Sequence, residues 1–422
     1  MSTLKVNKLR DTAGAADAIT LDPNGGAVLA GVTTVTSVKV GAAVTISESG
    51  IEASGIGITC ANINGAQIGG RRNIIINGAM NVAQRGTSST TTAYATVDRI
   101  YTATSSVDEA PTYEQVDVSS GTTPYASGFR KAFKVTNGNQ TGGAGTGDRV
   151  EIMMRLESQD IANSGWNYTS SSSFITLSFW IKSSVAQNFY VKIQTQDGTQ
   201  QNYPLETGSL TAATWTKITK TIPGNSNLQF DTNVDEGLRI SLYGFLGTDN
   251  TGSVSLNAWS AYSSSVRTPD QTSTWYTTND ATLEITGLQL EVGSQATPFE
   301  HRSYGEELTL CSRYYQKIDG TTANTVFGVG NVDGSTQGQI LVTLGTPLRS
   351  KASSMETTGS SGDYKFRVRT TSNCDAVPTL STAGITQQFL EWHANSHGFT
   401  DGDAALGISG SSSSYLAFSA EL

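Results

Sequence analysis

Apolar residues in this chain recur at every second position. Val150, Ile152, Met154 and Leu156 make one such series, and Ile175, Leu177, Phe179 and Ile181 make another. Phe189, Val191 and Ile193, then Leu238, Ile240 and Leu242, repeat the pattern. A period of two puts alternate side chains on one face of an extended strand, and that face is buried only when strands pair and sheets stack. No convincing amphipathic helix interrupts these series, so residues 71–302 are predicted to form two packed antiparallel sheets, a β-sandwich of jelly-roll type. In the last series Leu283 and Ile285 are in phase, whereas Leu288, Leu290 and Val292 are one residue out. A bulge at Gly287 absorbs that slip.

The segment before the sandwich has a different diet. From Ile19 to Ile68 it is built of Gly, Ala, Val, Ile, Thr and Ser, without one aromatic residue. Val32, Thr34, Thr36, Val38 and Val40 alternate, and glycines recur at Gly25, Gly41, Gly50, Gly55 and Gly65. Such short strands hold too little apolar surface for a core of their own, and winding together with further copies of the chain supplies one. Residues 19–70 are therefore expected to form a slender, glycine-punctuated β shaft in a homotrimer, with 1–18 as an N-terminal attachment segment.

After the sandwich comes the clearest helix signal. Ser303 with Glu306 has capping-box spacing, and Leu308, Cys311 and Tyr315 share a face. A short helix from about Tyr304 to Tyr314 is expected within a linker, 303–318. Alternation then returns at Ile340, Val342 and Leu344, at Phe389 to Trp392, and at Leu416, Phe418 and Ala420. A smaller β-sandwich tip over 319–422 follows, making the whole chain mainly β.

Composition narrows function by exclusion. A net charge of −9, with no basic run longer than Arg71-Arg72, argues against nucleic acid, because phosphate neutralisation needs clustered cations. No stretch approaches the ~18 apolar residues of a membrane span. The N-terminus lacks the apolar core of a signal peptide. Cys60, Cys311 and Cys374 are odd in number and far apart. They suit small buried residues of a protein assembled in a reducing cytoplasm.

Catalytic patterns are sparse. His301, His393 and His397 are the only histidines, and no Gly-x-Ser-x-Gly elbow accompanies them. His393 and His397, with Glu391, Asp401 and Asp403, have metal-ligating chemistry, yet Asn395, Ser396, Gly398 and Gly402 indicate a loop rather than the helix this spacing needs. Asp231, Asp235 and Glu236 cluster without aromatic residues on both sides, unlike a polysaccharide-cleaving groove. The expectation is a non-enzymatic protein with no cofactor and no metal.

Two motifs carry a resemblance. Arg72-Asn73-Ile74-Ile75-Ile76-Asn77-Gly78-Ala79-Met80-Asn81, followed by Val97-Asp98-Arg99, opens the sandwich. Leu288-Gln289-Leu290-Glu291-Val292-Gly293, Thr297-Pro298-Phe299-Glu300-His301-Arg302 and Cys311-Ser312-Arg313-Tyr314-Tyr315 close it. Together they resemble the ends of a module found in bacteriophage tail fibres, of a marine or cyanophage-like kind. Leu177 to Ser183 and Trp215-Thr216-Lys217 resemble core strands of carbohydrate-binding-module-like jelly rolls. Over residues 71–316 the resemblance implies a virion protein, trimeric, joined to a tail hub or adaptor protein through its N-terminus. It also implies attachment to a bacterial surface glycan or outer-membrane component. A head- or collar-decorating fibre and a polysaccharide-degrading tail spike are the alternatives. The motif residues have a structural reading too: Asn73, Asn77 and Asn81 can bond their own turns, and Glu300 can pair with Arg302 or Arg99.

Sugars offer C–H faces to aromatic rings and hydroxyls to short polar groups. That mixture occurs first at the distal tip, in Tyr364, Trp392, His393, Phe399 and Tyr415, which are the candidate receptor-binding residues. Trp259, Tyr262, Trp275 and Tyr276 are the secondary candidates.

Overall fold

The computed structural model describes residues 71–394 and 399–422, together with the backbone of short strands between residues 8 and 67. The chain divides into two units, Met1–Ala61 and Asn62–Leu422. In the first, Lys8–Arg10, Asp17–Leu21 and Ala27–Leu29 form a three-stranded antiparallel sheet, and Ser37–Val40, Val44–Ser47 and Gly50–Ala53 form another. The strands of this unit are three to five residues long. Val32, Thr34, Thr36 and Cys60 lie outside the described residues.

The second unit contains the predicted sandwich. One six-stranded sheet runs Tyr101–Ser105, Arg149–Glu157, Glu236–Leu246, Asn188–Thr195, Gln201–Ser209, Ser260–Ala261. The other runs Thr216–Pro223, Phe174–Ser183, Thr282–Val292, Lys131–Thr136, Thr112–Asp117, Ser88–Ser89. All their pairings are antiparallel. The residues of the alternating series point between the sheets, where Val150, Ile152, Leu177, Ile181, Ile193 and Leu238 are all within one core. The slip at Gly287 is a bulge: Ser178 pairs with Gln289, but Trp180 pairs with Thr286.

A separate core lies beyond it. The three-stranded sheet Tyr315–Asp319, Tyr415–Ser419, Ser354–Thr357 packs with a seven-stranded sheet. The latter is ordered Thr371–Asn373, Tyr364–Arg367, Ala404–Ser409, Val326–Val332, Gln337–Thr343, Gln387–His393, Thr379–Ala383. Phe327, Ile340, Val342, Leu390 and Trp392 fill the space between.

The helix Tyr304–Ser312 begins at the expected capping box, with the Ser303 side chain accepting from Glu306 N. The segment around it, 303–318, is held by specific contacts. Its last residues belong to the strand Tyr315–Asp319, and buried Glu307 accepts from Asn77 N at 2.5 Å. Arg313 grips Glu157 with two hydrogen bonds of 2.7 and 2.8 Å, and Tyr314 donates to the same carboxylate at 2.6 Å. Burial alone would raise the Glu157 carboxyl, but these donors win and hold it below its ordinary value.

The C-terminal residues complete this joint. Glu421 pairs with Arg99 and, at 3.1 Å, with Arg85. Arg99 also lies 3.5 Å over the Tyr314 ring, and Arg85 3.5 Å over Tyr315. Arg349 bonds the carbonyls of Ala420 and Glu421, as well as Val234 in the sandwich. Arg99 is thus committed to Glu421, and Glu300 pairs with Arg302 at 3.5 Å. Buried, bidentate and stacked arginines fix geometry, so the two cores belong to one unit.

Candidate functional site

The bulge does more than restore phase. Gly287 has φ +66, and a Cβ there would sit 2.6 Å from Phe129 Cζ. Its bare backbone therefore lets the Phe129 ring lie against the sheet's outer face. Phe129 follows the short helix Thr123–Ala126, which ends through Gly128 at φ +96. A Cβ on Gly128 would meet His301 Nε2 at 2.8 Å. The imidazole closes over this glycine and its Nε2 donates to the Ser127 carbonyl at 2.9 Å, which assigns the proton to that nitrogen. Phe129, Phe299 and His301 form a trio with ring centres 4.8 to 5.1 Å apart.

Across the sheet stands Trp180. Its neighbours Phe179 and Ile181 point into the sandwich, so period two turns Trp180 outward. Between Trp180 and the trio opens a cavity of about 280 Å³. Phe129, Ser178 and Gly287 floor it, Trp180 and Phe299 are half-buried walls, and Ser127, Lys217, Pro298 and His301 stand exposed at the rim. Lys217 is the direct cross-strand partner of Trp180. Aromatic walls with short hydroxyls and one cationic donor can stack an apolar ligand face and bond its polar edge.

The outer face of the other sheet is closed. Asn202 Nδ2 donates to the Arg267 carbonyl at 3.0 Å, and Tyr262 N donates to the Gln200 carbonyl at 2.9 Å, so the segment 260–267 folds against it. Beneath lies Lys192, 1% exposed and bonded to Gln194 at 2.6 Å, its ammonium pushed down to about 8 by burial. Tyr262 sits over that ammonium at 5.2 Å.

The tip candidates divide. Tyr364 and Trp392 have no exposed surface; they meet edge to face at 5.7 Å inside the second core. Their assignment as receptor-facing residues is corrected, because both lie at inward positions of their strands and offer no ring face to a sugar. Removing the Trp392 ring would leave a cavity costing roughly 3–5 kcal/mol. Phe399 packs on Phe366 at 5.3 Å. His393 and Tyr415 are half-buried; His393 lies 3.9 Å from Glu391, and Lys317 lies 4.7 Å over the Tyr415 ring.

Among the secondary candidates, Trp275 and Tyr276 are core residues, 0% and 1% exposed, which corrects their reading as a binding surface. Trp259 is half-buried, packs on Tyr203 at 5.0 Å and donates to the Pro223 carbonyl at 2.7 Å. His397 lies outside the described residues. Among those described, no group of three or more His, Cys, Asp or Glu residues is placed to hold a metal. Asp403 faces Arg369 at 3.4 Å, Glu236 is held by Arg239 at 2.7 Å, and Asp235 lies 3.9 Å from Arg349.

Sequence reasoning placed Trp180, Phe299 and His301 in motifs and assigned them to strand cores or a joint. Two signals pointed further: Trp180 is out of phase with the core series around it, and the Gly287 slip lies opposite it.

No family model and no curated protein sequence matches the chain. Among solved structures, one described as "CBM4 structure and function" is similar at 16% identity and a TM-score of 0.22, over 43% of this chain and 77% of that one. The N-terminal cellulose-binding domain from Cellulomonas fimi β-1,4-glucanase C is similar at 12% identity and a TM-score of 0.25, over 51% and 99%. The enzymatically active domain of bacteriophage CBA120 tailspike protein 4 is similar at 8% identity and a TM-score of 0.28, over 52% of this chain and 21% of that one. Overlaps this loose identify no matching site residue.

Proposed function

We propose that this chain is a structural virion protein, a bacteriophage tail fibre that attaches to a bacterial surface glycan by non-catalytic contact through the Trp180 cavity. The observation that carries the reading is the cavity itself: half-buried Trp180 and Phe299 line it together with Ser127, Thr297 and Lys217. The phage context rests on the end motifs at residues 71–316. In it the chain assembles as a homotrimer in the host cytoplasm and joins a tail hub or adaptor protein through its N-terminus. Contact moves from the tip to the sandwich, since Tyr364 and Trp392 are spent on packing. Several weak sites on linked fibres then gain avidity together.

Trp180→Ala tests the reading. Its ring is half-buried and outside the sandwich core, so the variant folds, while loss of the stacking face weakens glycan binding roughly tenfold. Titration of full-length protein against host surface polysaccharide measures it. A folded variant that binds and adsorbs like the parent removes the cavity from the function.

A further inference from the structure

We infer that the Trp180 cavity selects anionic sugars, binding a charged sugar unit with its ring against Trp180 and its acidic group at Lys217. This rests on the glycan-binding reading and adds the substrate class. The chain carries a net charge of −9, yet no Asp or Glu among the described residues lines the cavity. Its charged wall is Lys217, exposed and without an ion-pair partner among the described residues.

Three other lysines of the same sandwich are neutralised locally. Lys131 lies 2.6 Å from Asp117, Lys134 2.6 Å from Glu114, and Lys182 2.8 Å from Glu284. Glu291, directly behind the lining, is occupied by donors: Thr297 N at 2.9 Å, Thr297 Oγ1 at 2.5 Å and Gln289 Nε2 at 2.8 Å. Arg72 adds a further positive charge there, donating to Thr297 Oγ1 at 2.5 Å. An anion entering the cavity therefore meets Lys217 and, among the described residues, no lining carboxylate. A neutral sugar uses the same rings and hydroxyls but leaves Lys217 solvated.

Register supplies the geometry. Lys217 is the cross-strand partner of Trp180, so its ammonium reaches the edge of any ring stacked on the indole. Exposure to solvent limits the gain to about three- to tenfold over a neutral sugar, falling as salt rises.

The test titrates full-length protein with oligogalacturonate, a sulfated galactan fragment and a neutral galacto-oligosaccharide of matched length, at low and high salt. Parent, Lys217→Gln and Trp180→Ala are compared. The expected result is an anionic ligand bound three- to tenfold more tightly than the neutral one. Lys217→Gln brings anionic binding down to the level of neutral binding, and Trp180→Ala weakens every ligand. Which anionic oligomer wins tells carboxylate from sulfate. Equal binding of neutral and anionic oligomers, or a preference untouched by Lys217→Gln, overturns the inference and leaves glycan binding standing. Binding of none of the three overturns both.

Discussion

Asp98 shows how one residue couples the joint between the two cores to pH. It is 1% exposed, and burial raises its carboxyl from 3.8 to about 6 despite hydrogen bonds from Gln84 N and Nε2. The folded state therefore holds the proton at pH values where the unfolded chain has released it. Stability from this group is present below about pH 4, is lost as pH rises to about 6, and stays lost above. At ~1.4 kcal/mol per unit the shift is worth about 3 kcal/mol. Asp98→Asn removes that slope, so thermal unfolding of the variant gains on the parent between pH 4 and 7. Parallel curves would place the charge elsewhere. The motif Val97-Asp98-Arg99 was visible in the sequence, but its partners were not. Glu421 is 322 positions from Arg99, and no local pattern links two ends of a chain.

Among the elements, the strand Thr282–Val292 carries the most. Its bulge was legible from a one-residue phase slip at a glycine, because period two makes such a slip visible. Its consequence was not legible, since Phe129 arrives from a separate hairpin. Gly287→Ala puts a Cβ at positive φ and 2.6 Å from the Phe129 ring. We expect a loss of about 1–3 kcal/mol and weaker ligand binding as the ring is pushed into the cavity. Calorimetric melting with a binding titration checks both, and a parent-like variant would show the floor is tolerant. The helix Tyr304–Ser312 was readable because its signals, Ser303 and Glu306, are local.

At the scale of the molecule, the seven-stranded sheet has an unusual outer face. Leu406, Val329, Leu341 and Phe389 stand in direct register across four neighbouring strands, with Val329 57% and Phe389 41% exposed. Val326 and Ile385 are also exposed, 51% and 49%. A row of this kind is costly in water, and the homotrimer proposed above is a partner that would cover it. Val329→Asp with Phe389→Asp is expected to keep the β-sheet circular dichroism and make the assembly dissociate at a higher protein concentration. Sedimentation equilibrium reads this directly. A mass-concentration curve identical to the parent's would exclude this face.

The sequence by itself determined the β architecture, the bulge, the capped helix and the presence of two cores, because each depends on periodicity and neighbours within a few residues. Tertiary structure decided which aromatic rings face solvent. Composition alone drew attention to Trp392 and Trp275, the aromatic-rich places, but a ring at an inward position of a paired strand belongs to the core. Trp180, one residue out of phase with its core neighbours, faces outward. It became part of a cavity only when Gly287, Phe129 and His301 were carried to it from distant positions, and the physical reason is that long-range strand pairing, invisible to local pattern, sets which outward residues become neighbours.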